Sequence, residues 1–122
     1  MELHASGEDY LEAVLMLQQK NGMVRSVDLA RHMGFSKPSI SRAVAVLKDH
    51  GFLMVDGDGY LHLTNAGKEV AEKIYERHCV ITSGLVGLGV DPAQAEEDAC
   101  RMEHVVSDES FQKLREVFRQ IK

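Results

Sequence analysis

The spacing of apolar residues along the chain predicts a mainly helical protein with one β-hairpin. Apolar side chains recur at the three- and four-residue spacing of a helix face in six segments. These segments cover residues 7–19, 27–33, 37–50, 65–85, 92–105 and 108–122. Between the third and the fourth, two short apolar runs, residues 52–55 and 60–63, flank the sequence Asp56-Gly57-Asp58-Gly59. An Asp-Gly step between such runs is typical of a hairpin turn.

Short polar side chains mark where the helices begin. A serine, threonine or aspartate at the N-cap accepts a hydrogen bond from an otherwise free helix amide. The predicted N-caps are Ser6, Ser26, Ser36, Thr64, Asp91 and Ser107. Pro38 and Pro92 lie in predicted first turns, where proline is tolerated. Gly22, Gly34 and Gly51 follow the first three helices and predict their ends.

The order of the early elements predicts a winged helix-turn-helix. A short helix, a glycine-containing turn, a second helix and a hairpin follow one another between residues 26 and 63. In this fold the second helix, residues 36–48, lies in the major groove of DNA. Its polar side chains suit phosphates and base edges, and they are Ser36, Lys37, Ser39, Ser41, Arg42 and Lys48. The alternatives are an ordinary solvated face and a winged helix that contacts only protein.

Charge distribution favours the DNA interpretation. The chain has 122 residues, which suits one domain or one domain with a small appendage, and its net charge is −5. Between Arg25 and His50 five cations oppose two carboxylates, so this segment carries +3 and the rest of the chain carries −8. Such a local excess of positive charge is the footprint of a polyanion-binding surface. Asp56 and Asp58 at the hairpin tip predict that the wing contributes little to DNA affinity.

Other features of the chain limit the classes of protein to consider. No apolar run approaches the roughly 18 residues that suggest a membrane span. The first residues lack the basic and apolar regions of a signal peptide. Two cysteines do not make a disulfide framework. We therefore expect a cytoplasmic protein with reduced thiols, without membrane partners or a small-molecule substrate. We also expect that it is not an enzyme, because no oxyanion site or substrate cleft is recognisable.

Candidate metal ligands lie in three of the predicted helices. Cys100, Glu103 and His104 are spaced i, i+3 and i+4, so one helix face would carry a thiol, a carboxylate and an imidazole. Asp9 and Glu12 share a face of the first helix, and the long fourth helix carries a further candidate, His78. The plainer interpretations are a buried cysteine beside a solvated Glu-His pair, two acids in a first helical turn, and a histidine at a helix end.

Three further predictions concern other residues. Cys79 is expected in the core, the remaining histidines are expected at the surface, and a set of apolar residues is expected to form a dimer interface. The histidines are His4, His32, His50 and His62, and the apolar residues are Val80, Ile81, Leu85, Val86 and Leu88.

Together these residues make the chain resemble the diphtheria toxin repressor family, which includes the manganese transport regulators. The most specific part is Asp98-Ala-Cys-Arg-Met-Glu-His-Val-Val-Ser-Asp-Glu109, which is close to the metal-helix signature of the iron-responsive branch. Similar residues also occur at Tyr10-Leu11, Ser36-Lys-Pro-Ser-Ile-Ser41 and Leu63-Thr-Asn-Ala-Gly67. The resemblance implies a homodimeric, metal-activated repressor of metal-uptake genes that binds double-stranded operator DNA. It implies metal ligation by Asp9, Glu12, His78, Cys100, Glu103 and His104, and DNA contacts from Ser36, Pro38, Ser39 and Arg42.

Two departures from the family pattern make the ligand set a hybrid. The iron-responsive branch has a methionine where this chain has Asp9, so Asp9 and Glu12 resemble the manganese branch. That branch has a glutamate where this chain has Cys100. The resemblance therefore implies Mn²⁺ or Fe²⁺ as the cofactor, with Co²⁺ and Zn²⁺ as further ions in vitro. A thiol redox sensor that uses Cys79 and Cys100 on the same fold stays open as an alternative.

The resemblance also gives an expected domain organisation. Residues 1–64 form the winged helix-turn-helix, and residues 65–122 form a helical metal-binding and dimerisation domain to which the first helix lends ligands. We expect a divalent ion between the two domains to shift the dimer toward one DNA-competent spacing of its recognition helices.

Overall fold

A computed structural model describes residues 5–121 of the chain, so His4 lies outside the described residues. The helices and strands are α1 (Ala5–Asn21), α2 (Ser26–Met33), α3 (Lys37–Asp49), β1 (Leu53–Val55), β2 (Leu61–Leu63), α4 (Asn65–Gly87), α5 (Pro92–Met102) and α6 (Asp108–Arg119). The predicted fold class, mainly α with a winged helix-turn-helix followed by a helical domain, is confirmed. The chain divides into two compact units, Met1–Glu72 and Lys73–Lys122. α4 begins at Asn65 and continues across this division, and the predicted domain boundary after residue 64 stays a prediction.

The first unit is built around one apolar core that α1, α2, α3 and the hairpin share. Its most completely buried side chains are Leu11, Val14, Val24, Leu29, Ile40, Leu53 and Leu61. The strands β1 and β2 pair antiparallel with Leu53 opposite Leu63. The amide of Leu61 also donates to the carbonyl of Val24 at 2.7 Å, which ties the hairpin to the segment before α2. This core fixes the exposed face of α3.

Local signals explain how α3 begins and how the turn before it forms. The Oγ atom of Ser36 accepts a hydrogen bond from the amide of Ser39 at 3.3 Å, as predicted for an N-cap. Gly34 closes α2 with a φ of 72°, a left-handed conformation that glycine adopts without strain. The tight turn between α2 and α3 therefore follows from residues 34–36.

The second unit packs the later part of α4 against α5 and α6. Its core contains Ile81, Ala99 and Phe111. Gly84 permits a close approach, because a Cβ atom there would overlap the ring of Phe118. Asp91 and Ser107 cap α5 and α6 as predicted, each accepting hydrogen bonds from amides of the following turn.

Several predicted element boundaries and packing roles are wrong. α1 already includes Ser6, so Ser6 is not its N-cap, and the N-cap of α2 is Arg25 rather than Ser26. The Asp28 side chain accepts from the amide of Arg25 at 2.9 Å, which closes that helix start one residue early. Ile81 is 0% exposed and belongs to the core of the second unit, not to a dimer surface. Of the other residues predicted to dimerise, Val86 and Leu88 are exposed.

The end of α5 also differs from the prediction. The helix was expected to continue to residue 105 but ends at Met102. After Met102 the chain tightens, since the amide of Val105 donates to the carbonyl of Met102 three residues back, at 3.2 Å. The carbonyl of Glu103 accepts from the Arg77 side chain at 3.2 Å. Residues 103–107 therefore form a turn, and His104 does not share a helical face with Cys100.

Candidate metal centre and nucleic-acid interface

Three of the predicted ligands form a cluster within the second unit. His78 on α4, Cys100 on α5 and Glu103 at the end of α5 each offer a ligand atom, and these atoms lie within 4.8 Å of one another. The Nδ1 atom of His78 lies 3.0 Å from Oε2 of Glu103 and 3.8 Å from Sγ of Cys100. We call these three residues the His78 cluster.

Burial changes sharply across the His78 cluster. The Glu103 side chain is 0% exposed and that of His78 is 17% exposed, whereas Cys100 lies at the surface. The interpretation of a buried cysteine beside a solvated Glu-His pair is therefore wrong in both halves. A fully buried carboxylate is rare unless an ion pair, hydrogen bonds or a metal compensates it.

The Glu103 carboxylate fits a divalent cation. Its Oε2 atom pairs with His78, but its Oε1 atom is buried and makes no hydrogen bond within residues 5–121. The Nε2 atom of His104, whose side chain is 7% exposed, lies 3.5 Å from this oxygen. A carboxylate, imidazoles and a thiol are the donors that Mn²⁺, Fe²⁺, Co²⁺ and Zn²⁺ accept in different proportions.

The structure places the remaining predicted ligands on α1 of the first unit. Asp9 is half-buried and Glu12 is buried, one turn apart on the same helix. Their participation in metal binding stays a prediction from the sequence.

Cys79 and the other histidines lie outside the His78 cluster. The prediction that Cys79 belongs to the core is wrong, because this thiol is exposed. The buried side of α4 includes Arg77 and Ile81, and Cys79, two residues from each, points about 200° away from them. His32 and His50 are exposed as predicted, and His62 is half-buried.

Arg77 is a functional candidate that the sequence reasoning missed. It is 5% exposed, and its guanidinium bonds to the turn that carries Glu103 and His104. The signal was present in the sequence, since Arg77 lies between Ile74 and Ile81 at helical spacing, on the apolar side of α4.

The start of α3 presents the predicted DNA-binding side chains. Six of the seven are exposed: Ser36, Lys37, Pro38, Ser41, Arg42 and Lys48. Ser39 is half-buried, and its hydroxyl accepts a hydrogen bond from Oγ of Ser36 at 2.9 Å. The exposed hydroxyls, cations and free amides of this turn can meet phosphates or base edges, as at other helix N-termini.

The hairpin tip is held by Asp56. Its Oδ1 atom accepts from the amides of Asp58 and Tyr60, each at 2.9 Å, and its Oδ2 atom lies 2.8 Å from Nε2 of His62. The hydrogen bond from His62 lowers the pKa of Asp56, with help from the amide of Tyr60. Since Asp56 stays ionised and Asp58 is also exposed, the tip is unsuited to binding phosphates.

Within residues 5–121, no helix combines the length and the low polarity needed to cross a membrane.

Two family models cover nearly the whole chain. Residues 2–63 match the iron dependent repressor N-terminal DNA binding domain, and residues 64–122 match the iron dependent repressor metal binding and dimerisation domain.

Individual relatives agree with this assignment. The chain is 35% identical over 109 residues to the transcriptional regulator MntR of Escherichia coli O157:H7, which covers 88% of this chain and 70% of that protein. It is 28% identical over 115 residues to the diphtheria toxin repressor of Corynebacterium diphtheriae, covering 93% of this chain and 51% of the relative. A solved manganese-dependent transcriptional repressor in complex with manganese matches with a TM-score of 0.83 and 25% identity, covering 93% of this chain and 52% of that one. The chain thus spans about half the length of some of its relatives.

Proposed function

The chain belongs to the iron-dependent repressor family, and from this premise we propose that it is a Mn²⁺- or Fe²⁺-dependent repressor of metal-uptake genes. It acts as a homodimer on double-stranded operator DNA in the cytoplasm, and it has no catalytic role. The N-terminal turn of α3 enters the major groove. The metal-binding residues of this proposal lie on α1, on α4 and at the end of α5.

The observation that carries the metal half of the proposal is the buried carboxylate of Glu103. This side chain has no exposed surface, and one of its oxygens lacks a hydrogen-bond donor in the described part of the chain. A bound divalent cation supplies the positive charge that such a carboxylate and a neighbouring thiolate need. His78 and Cys100 offer further donors within 4.8 Å of it. Asp9, Glu12 and His104 complete the predicted ligand set on the family resemblance.

The residues of the His78 cluster determine which ions are favoured. Mn²⁺ prefers oxygen donors, whereas Fe²⁺, Co²⁺ and Zn²⁺ accept imidazole and thiolate more readily. Because Cys100 replaces an oxygen donor with sulfur, the cluster favours Fe²⁺ and Co²⁺ relative to an all-oxygen alternative. Substitution of Cys100 by serine should shift the preference back toward Mn²⁺.

The coupling between metal and DNA is a population shift in the homodimer. Without a cation, the ionised ligands repel one another, and at 4 Å one such pair costs about 4 kcal/mol at an effective dielectric constant near 20. This repulsion favours separation of the ligands in the metal-free protein. Metal binding removes this cost in the DNA-competent state, and a coupling free energy of about 1–3 kcal/mol is typical.

A single titration tests both halves of the proposal. The affinity of the chain for duplex operator DNA is measured under anaerobic conditions without metal and with Mn²⁺, Fe²⁺, Co²⁺ or Zn²⁺. We expect a gain of about 5–150-fold with the activating ion, which corresponds to the coupling above. DNA binding that no ion changes would contradict the metal-dependent function. Metal binding without any DNA binding would instead favour a winged helix that contacts only protein.

The Cys100→Ser variant separates the thiol redox-sensor hypothesis from this proposal. Cys79 and Cys100 both lie at the surface. The thiol-sensor hypothesis expects that Cys100→Ser keeps the metal response and loses a response to oxidant. Our proposal expects the opposite, an altered order of metals in the absence of oxidant.

A further inference from the structure

Arg77 is the buried charge of the second unit that metal ligation does not use. It lies on α4 directly before His78, and its side chain is 6% exposed. A buried guanidinium is costly unless its donors are satisfied, so its partners indicate what it holds in place.

The partners of Arg77 lie along one turn. Its Nη1 atom donates to the carbonyl oxygens of Glu103 at 3.2 Å and Val106 at 2.5 Å. Its Nη2 atom donates to Oδ1 of Asp108 at 2.5 Å. The guanidinium carbon also lies 5.2 Å from the centre of the Phe111 ring. One planar group thus links the last carbonyl of α5, the turn that follows and the first turn of α6.

This arrangement holds Glu103 at two points from adjacent residues of α4. Arg77 binds the main-chain carbonyl of Glu103, while His78 binds its carboxylate at 3.0 Å. His104 lies between the two carbonyls that Arg77 contacts. The direction of the Glu103 carboxylate, and the approach of His104 to it, therefore depend on where Arg77 places the turn.

We propose that Arg77 is a positioning residue for the metal centre, which fixes the Glu103–Val106 turn so that Glu103 and His104 meet the ion in one geometry. The proposal rests on the metal-binding function proposed above. Arg77 does not touch the ion. It acts as the outer support that orients a ligand, a role whose loss typically lowers metal affinity about 10–100-fold.

A lysine cannot take over this role. Arginine offers five donors in a rigid plane, whereas a lysine ammonium is a single point on a flexible chain. Asp108 also pairs with Lys73 at 3.0 Å, but the carbonyls of Glu103 and Val106 take their side-chain hydrogen bonds from Arg77, and a lysine ammonium does not reproduce the planar spacing of those donors. The positive charge alone is therefore insufficient, and the geometry of the donors is what positions the turn.

The test compares Arg77→Met and Arg77→Lys with a matched control, Arg115→Met. Arg115 also stacks on Phe111, at 5.7 Å, and bonds to Glu76 at 2.6 Å, but it makes no hydrogen bond to the turn. Co²⁺ is the probe, because its visible bands report ligand geometry and its near-ultraviolet band reports the Cys100 thiolate. A second measurement, amide hydrogen exchange of Val105 and Val106 in the metal-free protein, reports the turn without any ion. Both amides donate to the carbonyl of Met102 at 3.2 Å.

We expect Arg77→Met to bind Co²⁺ about 10–100-fold more weakly, with shifted visible bands and faster exchange at Val105 and Val106. Arg77→Lys should show the same changes, and it decides the question if Arg77→Met does not fold. Arg115→Met should match the wild-type protein in both measurements. Wild-type affinity and spectrum in Arg77→Lys would overturn the proposal.

The result also separates this proposal from the proposed function. Failure of the wild-type chain to bind Co²⁺, Mn²⁺ or Fe²⁺ would defeat the metal-dependent function. The exchange measurement would then still decide whether Arg77 holds the turn. Normal Co²⁺ binding by the wild type together with unchanged exchange in both Arg77 variants would defeat the positioning role alone.

Discussion

On the proposed function, Glu103 is a single residue that is unfavourable for folding and required for metal binding. Its carboxylate has no exposed surface and only one oxygen with a hydrogen-bond partner among residues 5–121. Burial of an incompletely paired carboxylate costs free energy in the metal-free protein. A bound cation removes that cost. The Glu103 side chain therefore increases the difference in free energy between the metal-free and the metal-bound protein.

Replacement of Glu103 by glutamine separates these two effects. We expect Glu103→Gln to lower metal affinity more than about 10-fold, since the charge is lost. We also expect the free energy of unfolding of the metal-free protein to stay constant or to rise by about 1 kcal/mol. Isothermal titration with Mn²⁺ and chemical denaturation of the metal-free protein measure the two quantities. The control is Glu97→Gln, an exposed glutamate on α5, which should change neither. A loss of stability in Glu103→Gln would contradict this account.

At the scale of an element, α4 connects the chemistry to the packing. Two adjacent residues, Arg77 and His78, hold the turn that carries Glu103, and Ile81 anchors the same helix in the core of the second unit. One turn later Gly84 lies against Phe118 of α6. The distance between α4 and α6 is therefore set by a residue with no side chain.

A methyl group at Gly84 tests this close contact. We expect Gly84→Ala to destabilise the protein by about 1–3 kcal/mol, because overpacking against the Phe118 ring outweighs the gain in helix propensity. Gly87→Ala is the comparison variant, since its methyl group would meet the γ2 methyl of Ile121, which lies beyond the end of α6, rather than a ring within α6. Denaturation by urea with a helix-sensitive signal gives both values. Equal stability of the two variants would show that α6 moves away freely.

At the scale of the whole molecule, charge is divided between a local cationic surface and an acidic remainder. The exposed cations Lys37, Arg42 and Lys48 lie on α3, although the net charge is −5. An acidic protein is repelled by DNA at long range, so contacts at α3 must carry the attraction. Binding should then depend steeply on salt.

The salt dependence of operator binding measures those contacts. We expect Arg42→Gln to reduce the slope of log K against log [salt] by about 2 in the homodimer, because each subunit loses one phosphate contact. Lys113→Gln, an exposed lysine of α6, should leave the slope unchanged. Fluorescence anisotropy over a series of salt concentrations gives both slopes. An unchanged slope for Arg42→Gln would place this side chain away from the phosphates.

The elements were largely predictable from the sequence because their signals are local. Caps such as Ser36, Asp91 and Ser107 and the Asp-Gly turn specify element ends through neighbouring residues alone. The failures arise where distant residues decide. The turn after α5 is one example, since the carbonyl of Glu103 accepts from Arg77, 26 positions away. The burial of Ile81 likewise depends on partners in α5 and α6, which a helical pattern cannot specify.

The predicted site was partly accessible for the same reason. The i, i+3 spacing of Cys100 and Glu103 indicated a shared face, and the structure brings the predicted candidate His78 of α4 to within 4.8 Å of both. The family resemblance, rather than spacing, brought His78 and the acids of α1 into the ligand set. Exposure could not be predicted, since whether Cys79 or Cys100 faces solvent depends on which side of each helix the core covers.

The gradient of exposure across the His78 cluster also gives it a direction. On the proposed function, an ion arriving from solvent meets the exposed Cys100 first, then the partly buried His78, and reaches the buried carboxylate of Glu103 last. The metal ion therefore binds to these ligands and leaves them in a fixed order, with the Cys100 thiol nearest to solvent. An ion that prefers sulfur can remain bound to Cys100 before it reaches the carboxylate of Glu103, whose oxygens favour other ions. The speed with which each metal is taken up can therefore rank the metals differently from their affinities at equilibrium.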